Sequence, residues 1–238
     1  ALRGRLPGVV PSLATARALA AAVPGSRAEL TVAHHGVDRA VFRPPTADEI
    51  AAVRETLGLG PADQWIAFLG TIEPRKNLGN LLRAYAALRA ERPDVPTLVV
   101  AGARGWDADA AAELDRVGRE DGVVEAGYLP LELLAALLGG AQVVAYPSTA
   151  EGFGLPVLEA MASGACVLTT ARTALPEVGG DAVAYAEPDA ASLKTALDRL
   201  LAAPAERGGL AALALDRAAG FTWEACAERH VEAYRRAM

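Results

Sequence analysis

From Trp65 onward, short apolar runs alternate with helix-length amphipathic segments, and no other feature constrains the fold as strongly. Short runs bounded by turn residues suit strands of a parallel sheet buried on both faces, and the amphipathic segments between them suit crossover helices. Strands are predicted at Trp65 to Leu69, Thr97 to Ala101, Val123 to Glu125, Gln142 to Ala145, Cys166 to Thr169 and Ala182 to Tyr185. Helices are predicted at Leu78 to Arg89, Ala108 to Gly118, Leu131 to Leu138, Leu155 to Ala162 and Ala190 to Leu201. The fold class is therefore α/β, a doubly wound, Rossmann-like parallel sheet. In such sheets ligands bind beyond the carboxyl ends of the strands. The loops at 70–77, 102–106, 127–130 and 146–155 all fall at that edge.

The two ends of the chain differ from this pattern. Gly8 to Pro11 reads as a strand, Ser12 to Val23 as a helix capped by Ser12, and Glu29 to Ala33 as a second strand. Gly36 to Pro45 has the glycine and prolines of a connector. The segment from Thr222 reads as one amphipathic helix, with Trp223, Cys226, His230 and Tyr234 on one face. The pattern therefore changes at about residues 43 and 222, which divides the chain into 1–42, 43–221 and 222–238.

A net charge of −6 weighs against a nucleic-acid partner or an anionic membrane surface, leaving only local basic clusters to consider. Cys166 and Cys226 suggest neither a zinc site nor a disulfide framework, and Cys166 reads as a small core residue. A reducing, cytoplasmic setting fits. No apolar run approaches the roughly 18 residues of a membrane span, and the amino end lacks a signal-peptide pattern. The non-Met first residue suggests a fragment or a trimmed chain.

Chemistry concentrates in two loops. Glu151-Gly-Phe-Gly-Leu-Pro-Val-Leu-Glu159 places two carboxylates around a glycine-bearing turn into a helix. Gly152 and Gly154 allow close approach of a ligand, and Pro156 suits the first helical turn. The free N–H groups there can take phosphate or sugar oxygens, and ionised Glu151 and Glu159 can accept from hydroxyls. The plainer alternative is a glycine turn capped by Glu151, with Glu159 a solvated helix residue. Upstream, Gly70-Thr-Ile-Glu-Pro-Arg-Lys-Asn77 places Arg75 and Lys76 before a helix for which Asn77 is the expected cap. An Arg fork and a mobile Lys at a helix start suit a diphosphate. The plainer alternative is an exposed basic pair. Together the loops suit a nucleotide diphospho-sugar.

These residues resemble a known family. Gly70-Thr-Ile-Glu-Pro-Arg-Lys-Asn77, Ala145-Tyr-Pro-Ser148, Glu151-Gly-Phe-Gly-Leu-Pro156 with Glu159, and Ala174-Leu-Pro-Glu-Val178 are similar to the carboxyl-terminal half of GT4-type retaining glycosyltransferases of the GT-B fold. The resemblance covers nearly the whole chain. It implies a hexosyltransferase that acts with retention, with Arg75, Lys76 and Glu151 as catalytic residues. Arg75 and Lys76 bind the diphosphate beside Gly70 and Thr71, and Glu159 holds the ribose. Glu151 contacts the transferred sugar, while Gly152 and the amides of Phe153, Gly154 and Leu155 take sugar and phosphate oxygens. Gly102 to Gly105 and Gly127 to Leu129, including Tyr128 and Leu129, flank the base.

The resemblance implies no cofactor and no metal beyond the donor itself, a GDP- or UDP-sugar. The Glu-Pro-Arg-Lys-Asn loop is associated with mannosyl transfer. Glu151 and Glu159 are not a glycosidase acid and nucleophile pair. The implied partner is an acceptor glycan, lipid or small molecule, held mainly by an amino-terminal domain that is largely absent here and through which the enzyme is membrane-peripheral. At the linker the family's Pro-Asn-Gly-Val-Asp is replaced by His34-His35-Gly36-Val37-Asp38, read as hydrogen-bonding hinge residues. With that domain absent, the apolar face of the last helix is exposed or used for self-association.

Two other functions compete. One is a nucleotide-sugar-binding module without turnover of its own, needing a partner chain or serving as a sensor. The other is an epimerase or phosphorylase on the same fold. A phosphorylase requires a lysine for pyridoxal phosphate, and Lys76 and Lys194 are the only lysines.

Overall fold

The computed structural model describes residues 8–24 and 29–237; residues 1–7 and 25–28, within the expected first segment, and Met238, at the end of the expected last helix, lie outside it. In chain order the elements are β1 (Gly8–Val10), α1 (Leu13–Ala22), β2 (Leu30–Val32), α2 (Ala47–Leu57), β3 (Trp65–Leu69), α3 (Leu78–Glu91), β4 (Thr97–Ala101), α4 (Ala108–Leu114), β5 (Val123–Gly127), α5 (Leu131–Gly139), β6 (Val143–Tyr146), α6 (Leu155–Ala162), β7 (Val167–Thr169), α7 (Leu175–Gly179), β8 (Ala184–Tyr185), α8 (Ala190–Ala202), α9 (Pro204–Ala218) and α10 (Trp223–Ala237). Short 3-10 turns occupy Pro74–Lys76 and Arg119–Asp121.

Six strands form one parallel sheet in the order β5-β4-β3-β6-β7-β8, while β1 and β2 form a separate parallel pair. From β3 the chain winds outward through β4 and β5, then returns to β6 on the other side of β3. The crevice beyond the carboxyl ends of β3 and β6 is therefore the topological switch point, where such sheets hold ligands.

Strand periodicity sorts the core. Trp65, Ala67, Val99, Ala101, Val144 and Tyr146 face a layer built from α2, α5, α6 and α9. Their neighbours Ile66, Phe68, Leu98, Val100, Val143 and Ala145 face α3, α4 and α8. Period-two alternation between two covered faces explains why these strands read as unbroken apolar runs. Each fully buried side chain of this kind stabilises the fold by about 1.5–3 kcal/mol, so truncating Phe68 to Ala would loosen one whole layer.

Several helices start where side chains satisfy free N–H groups. Ser12 accepts from Thr15 N (3.0 Å), Asp107 from Ala110 N (3.1 Å), Asp189 from Ser192 N (2.9 Å) and Thr222 from Ala225 N (3.1 Å). Three helices escaped the pattern reading. α2 carries a full capping box, Thr46 with Glu49, immediately after Pro44-Pro45, a legible signal hidden by the adjoining connector. α7 has only five residues. α9 contains Gly208-Gly209, which argue against a helix; both are in open space, and packing of Ala214 and Ala218 against α6 overrides the cost.

Boundaries also shift. α4 ends at Leu114 rather than Gly118, because the bonds that follow close over three residues instead of four, Arg116 N to Glu113 O (3.1 Å) and Val117 N to Leu114 O (3.4 Å). β5 runs on to Gly127 through a register shift against β4, and β8 shrinks to Ala184–Tyr185. On α10 the buried stripe is Cys226 and Ala233, whereas Trp223 and Tyr234 are 47% and 62% exposed, so the expected face was rotated. Cys166 is a core residue, as expected. Among the described residues no helix is long and apolar enough to cross a membrane.

Candidate functional site

The two chemically rich loops leave β3 and β6 and meet over the switch point. The carbonyl of Arg75 accepts from Thr149 N (2.8 Å) and Ser148 Oγ (2.9 Å), which ties the first loop to the second. Asn77 precedes α3, but it sits in the left-handed region (φ 62°) and makes no side-chain cap. Its amide instead donates to the carbonyls of Pro147 (3.1 Å) and Pro188 (2.7 Å), so the expected cap is in fact a cross-loop tie.

At the centre stands Glu151. Its Oε1 accepts from Tyr146 Oη (2.8 Å) and Ser148 Oγ (2.8 Å) and pairs with Lys76 Nζ (2.7 Å) and Arg75 (2.7 Å). Lys76 Nζ also donates to the Tyr146 hydroxyl and lies 4.7 Å from that ring's centroid. Arg75 reaches Glu73 as well (2.7 Å). Among the described residues, Glu151 Oε2 takes no hydrogen bond.

Lys76 is therefore not an exposed basic residue: it is buried, while Arg75 stays partly open. Burial raises the Glu151 carboxyl's pKa, but the hydrogen bonds and charge of Lys76, then Tyr146 and Ser148, outweigh it and hold the group below the ordinary carboxylate value. Burial also lowers the Lys76 amine despite the carboxylate beside it, and raises the Tyr146 phenol.

The turn into α6 has the expected geometry. Gly154 is in the left-handed region (φ 104°), and a Cβ there would come within 2.8 Å of Leu175 Cδ2. Pro156 falls in the first turn, with Leu155 opening the helix. Gly152 is exposed and has no positive φ, so only Gly154 is required by its conformation. Glu159, one turn into α6, is half-buried; no side-chain hydrogen bond to a described residue satisfies it, and burial raises its pKa. It is not the solvated helix residue of the plainer reading. Phe153 is buried against His34, His35 and Phe221, with ring centroids 5.0–6.0 Å away.

Gly70, Gly102 and Gly127 close three adjacent strands and form a tight floor: Gly70 N donates to Ala101 O (2.9 Å) and Gly102 N to Gly127 O (2.7 Å). A Cβ on Gly102 would lie 2.1 Å from the Gly70 carbonyl, so any side chain there would force the loops apart. Thr71 and Tyr128 are exposed on the rim, Tyr128 by 84%, whereas the Leu129 side chain turns into the core and offers only its backbone.

Several participants were not assigned from sequence. Tyr146 and Ser148 lie within the quoted Ala145-Tyr-Pro-Ser148 motif, and their placement at the end of β6, beside Glu151, was the available signal. Glu177 accepts from Leu13 N and Ala14 N (both 2.7 Å), and Ser12 and Thr15 donate to Gly152 O (2.6 and 2.9 Å), so α1 docks directly on the site loop. Nothing local in the sequence marks that long-range pairing. His34 lies 3.4 Å from Glu177, but His35 Nδ1 is buried without a hydrogen-bond partner, so only the first histidine fits the hydrogen-bonding hinge expectation. Burial, followed by the charges of His230 and His34, lowers the pKa of His35. A groove of about 780 Å³ behind the hinge, touching His34, Glu177 and Arg217, shares no lining residue with the Glu151 cluster. Among the described residues no group of His, Cys, Asp or Glu is disposed to hold a metal ion.

Known proteins resemble this chain in sequence and in fold. Residues 49–212 match the family described as glycosyl transferases group 1. The O-antigen chain mannosyltransferase B of Escherichia coli is 39% identical over 170 residues, covering 71% of this chain and 45% of that protein. The D-inositol 3-phosphate glycosyltransferase of Segniliparus rotundus is 34% identical over 216 residues, 88% of this chain and 47% of that one. The chain thus spans about half the length of the curated relatives it matches. Among solved structures, the Anabaena protein HepE in complex with UDP-glucose superposes with a TM-score of 0.83 at 20% identity, covering 99% of this chain and 65% of the other. That likeness shows the fold, which is the GT-B type, and the chain fits its carboxyl-terminal half.

Proposed function

Because the chain belongs to the group 1 glycosyl transferases, we propose that it is the donor-binding half of an enzyme that transfers a hexose from a nucleotide diphospho-sugar to an acceptor hydroxyl with retention of configuration. The observation that carries this reading is the cluster of Arg75, Lys76 and Glu151 at the switch point, beside the free N–H groups that open α6. Arg75 and Lys76 take the diphosphate and stabilise the charge that grows on it as the glycosidic bond breaks. The amides of Phe153, Gly154 and Leu155 supply further donors to phosphate and sugar oxygens, favoured by the helix dipole. Glu159, half-buried and unsatisfied, accepts from the ribose hydroxyls. Oε2 of Glu151, which has no described partner, accepts from a hydroxyl of the transferred sugar.

The base lies over the glycine floor, between the rim residues Thr71 and Tyr128. Its identity is guanosine or uridine: the relative named as a mannosyltransferase favours GDP-mannose, and the superposed HepE structure holds UDP-glucose. Departure of the diphosphate leaves an oxocarbenium-like sugar, and the incoming hydroxyl attacks from the same face while giving its proton to a phosphate oxygen. No protein base is required. The acceptor is read by the amino-terminal half of the two-domain fold, which also excludes water from the reacting centre.

The test is calorimetric titration with GDP, UDP and ADP and their common sugar conjugates, repeated with the Arg75→Ala/Lys76→Ala double variant. Binding of one nucleotide series, lost in the variant, is the expected result. A folded chain that binds none of them, or a variant that binds as well as the native chain, would remove the assignment.

A further inference from the structure

We infer that Tyr146 is a positioning residue for Lys76: its buried hydroxyl keeps the lysine amine in place when Glu151 releases it to a bound diphosphate. The role of Lys76 toward the diphosphate rests on the proposed function; the hydroxyl's hold on the amine does not.

The geometry begins with an overcommitted oxygen. Oε1 of Glu151 alone meets Lys76, Arg75, Tyr146 and Ser148. A carboxylate oxygen offers about two lone pairs, so these four donors share it and none holds it fully. A diphosphate arriving at Arg75 and Lys76 competes with Glu151 for the same two cations and repels it. Once that carboxylate turns away, the described acceptor still facing Lys76 Nζ is the Tyr146 hydroxyl.

That hydroxyl is fixed in a way the other partners are not. Tyr146 is the last residue of β6 and is 1% exposed, with its ring in the layer under α5 and α6. Its backbone is pinned from the next strand, where Thr169 Oγ1 donates to Tyr146 O (2.7 Å). Glu151, by contrast, lies on the loop before α6. Lys76 reaches the crevice on a flexible stem from a 3-10 turn, so without a rigid acceptor its amine would sample several positions. The hydroxyl accepts from the amine and directs its own proton to Glu151, a relay that phenylalanine deletes while keeping the ring and its contact with the ammonium.

With only two lysines in the chain, the ammonium groups can be observed directly. The experiment records 15N-lysine NMR of the native chain and of the Tyr146→Phe, Glu151→Leu and Glu151→Leu/Tyr146→Phe variants, with backbone amide spectra as the control for folding and the Lys194 signal as the reference. The Lys76 ammonium signal is expected to survive either single change and to vanish in the double variant while Lys194 is unmoved. A Lys76 signal equal in Glu151→Leu and the double variant overturns the inference without any nucleotide being present.

The second arm measures GDP and UDP affinity in a cycle with Lys76→Ala. Tyr146→Phe is expected to weaken diphosphate binding about tenfold in the native background and not at all in Lys76→Ala. An equal loss in both backgrounds marks Tyr146 as a packing residue and overturns the positioning role. If the native chain binds no nucleotide, the proposed function fails, and the lysine spectra still decide the case of Tyr146.

Discussion

The chain's only two lysines make ion pairs of the same length in two different regions. Lys76 meets Glu151 at 2.7 Å at the carboxyl edge of the sheet, and Lys194 meets Glu91 at 2.7 Å between α8 and α3. Their settings differ: the side chains of the first pair are 7% and 9% exposed, those of the second 23% and 64%. Distance alone would rank the two equally. Burial separates them, because a charge removed from water is held by its few partners, while an exposed carboxylate exchanges its lysine for solvent with little loss. The buried pair is also embedded among Tyr146, Ser148 and Arg75, which makes it a centre where an incoming anion must be exchanged for a resident one.

The contrast can be broken by substitution. Glu151→Ala, which leaves Lys76 buried and unpaired, should lower stability by about 3–5 kcal/mol in chemical denaturation. Because the Glu151 carboxyl lies below its ordinary value of 4.5 in the folded chain, its contribution is present above that pH and is lost as the pH falls through the depressed folded value. A native chain whose acid sensitivity matches that of the variant would contradict this. Next in size, Arg75→Ala/Lys76→Ala should weaken nucleoside diphosphate binding by about 100-fold or more, each charge-assisted contact contributing about 1.5–3 kcal/mol.

Glu159→Ala should narrow the preference for a ribonucleotide over its 2'-deoxy analogue by about tenfold, checked by parallel titrations; an unchanged ratio would argue against ribose recognition. Glu159 also titrates opposite to Glu151. Its folded value is raised by burial, so its ionised form costs stability at neutral pH, and that cost disappears as the pH falls through the raised value. Glu159→Gln should therefore stabilise the chain on the order of 1 kcal/mol while impairing the ribonucleotide. The smallest effect belongs to the exposed pair: Lys194→Ala should cost below about 1 kcal/mol and leave nucleotide binding untouched.

Sequence made the first member of this comparison visible but not its state. Alternating apolar runs from Trp65 to Tyr185 disclosed the sheet and its ligand edge, because strands buried on both faces leave an unbroken pattern. The Gly154 turn and Pro156 disclosed the start of α6, since backbone conformation there depends on single residues. The resting pairing of Glu151 with Arg75 and Lys76 was not legible, as residues 75 apart in sequence meet only through the β3–β6 adjacency. The same holds for the Glu177 contact with α1, which spans more than 160 residues. Asn77 misled because its composition suits a cap, whereas its left-handed backbone aims the amide at two proline carbonyls.

The most direct measurement is the affinity difference between a nucleoside diphosphate and its nucleoside, taken by calorimetry for the native chain and for Lys76→Ala. If Lys76 serves the diphosphate, the substitution weakens GDP or UDP by about tenfold or more and leaves guanosine or uridine unchanged. Equal losses for the diphosphate and the nucleoside would contradict the assignment of this edge to a nucleotide-sugar diphosphate.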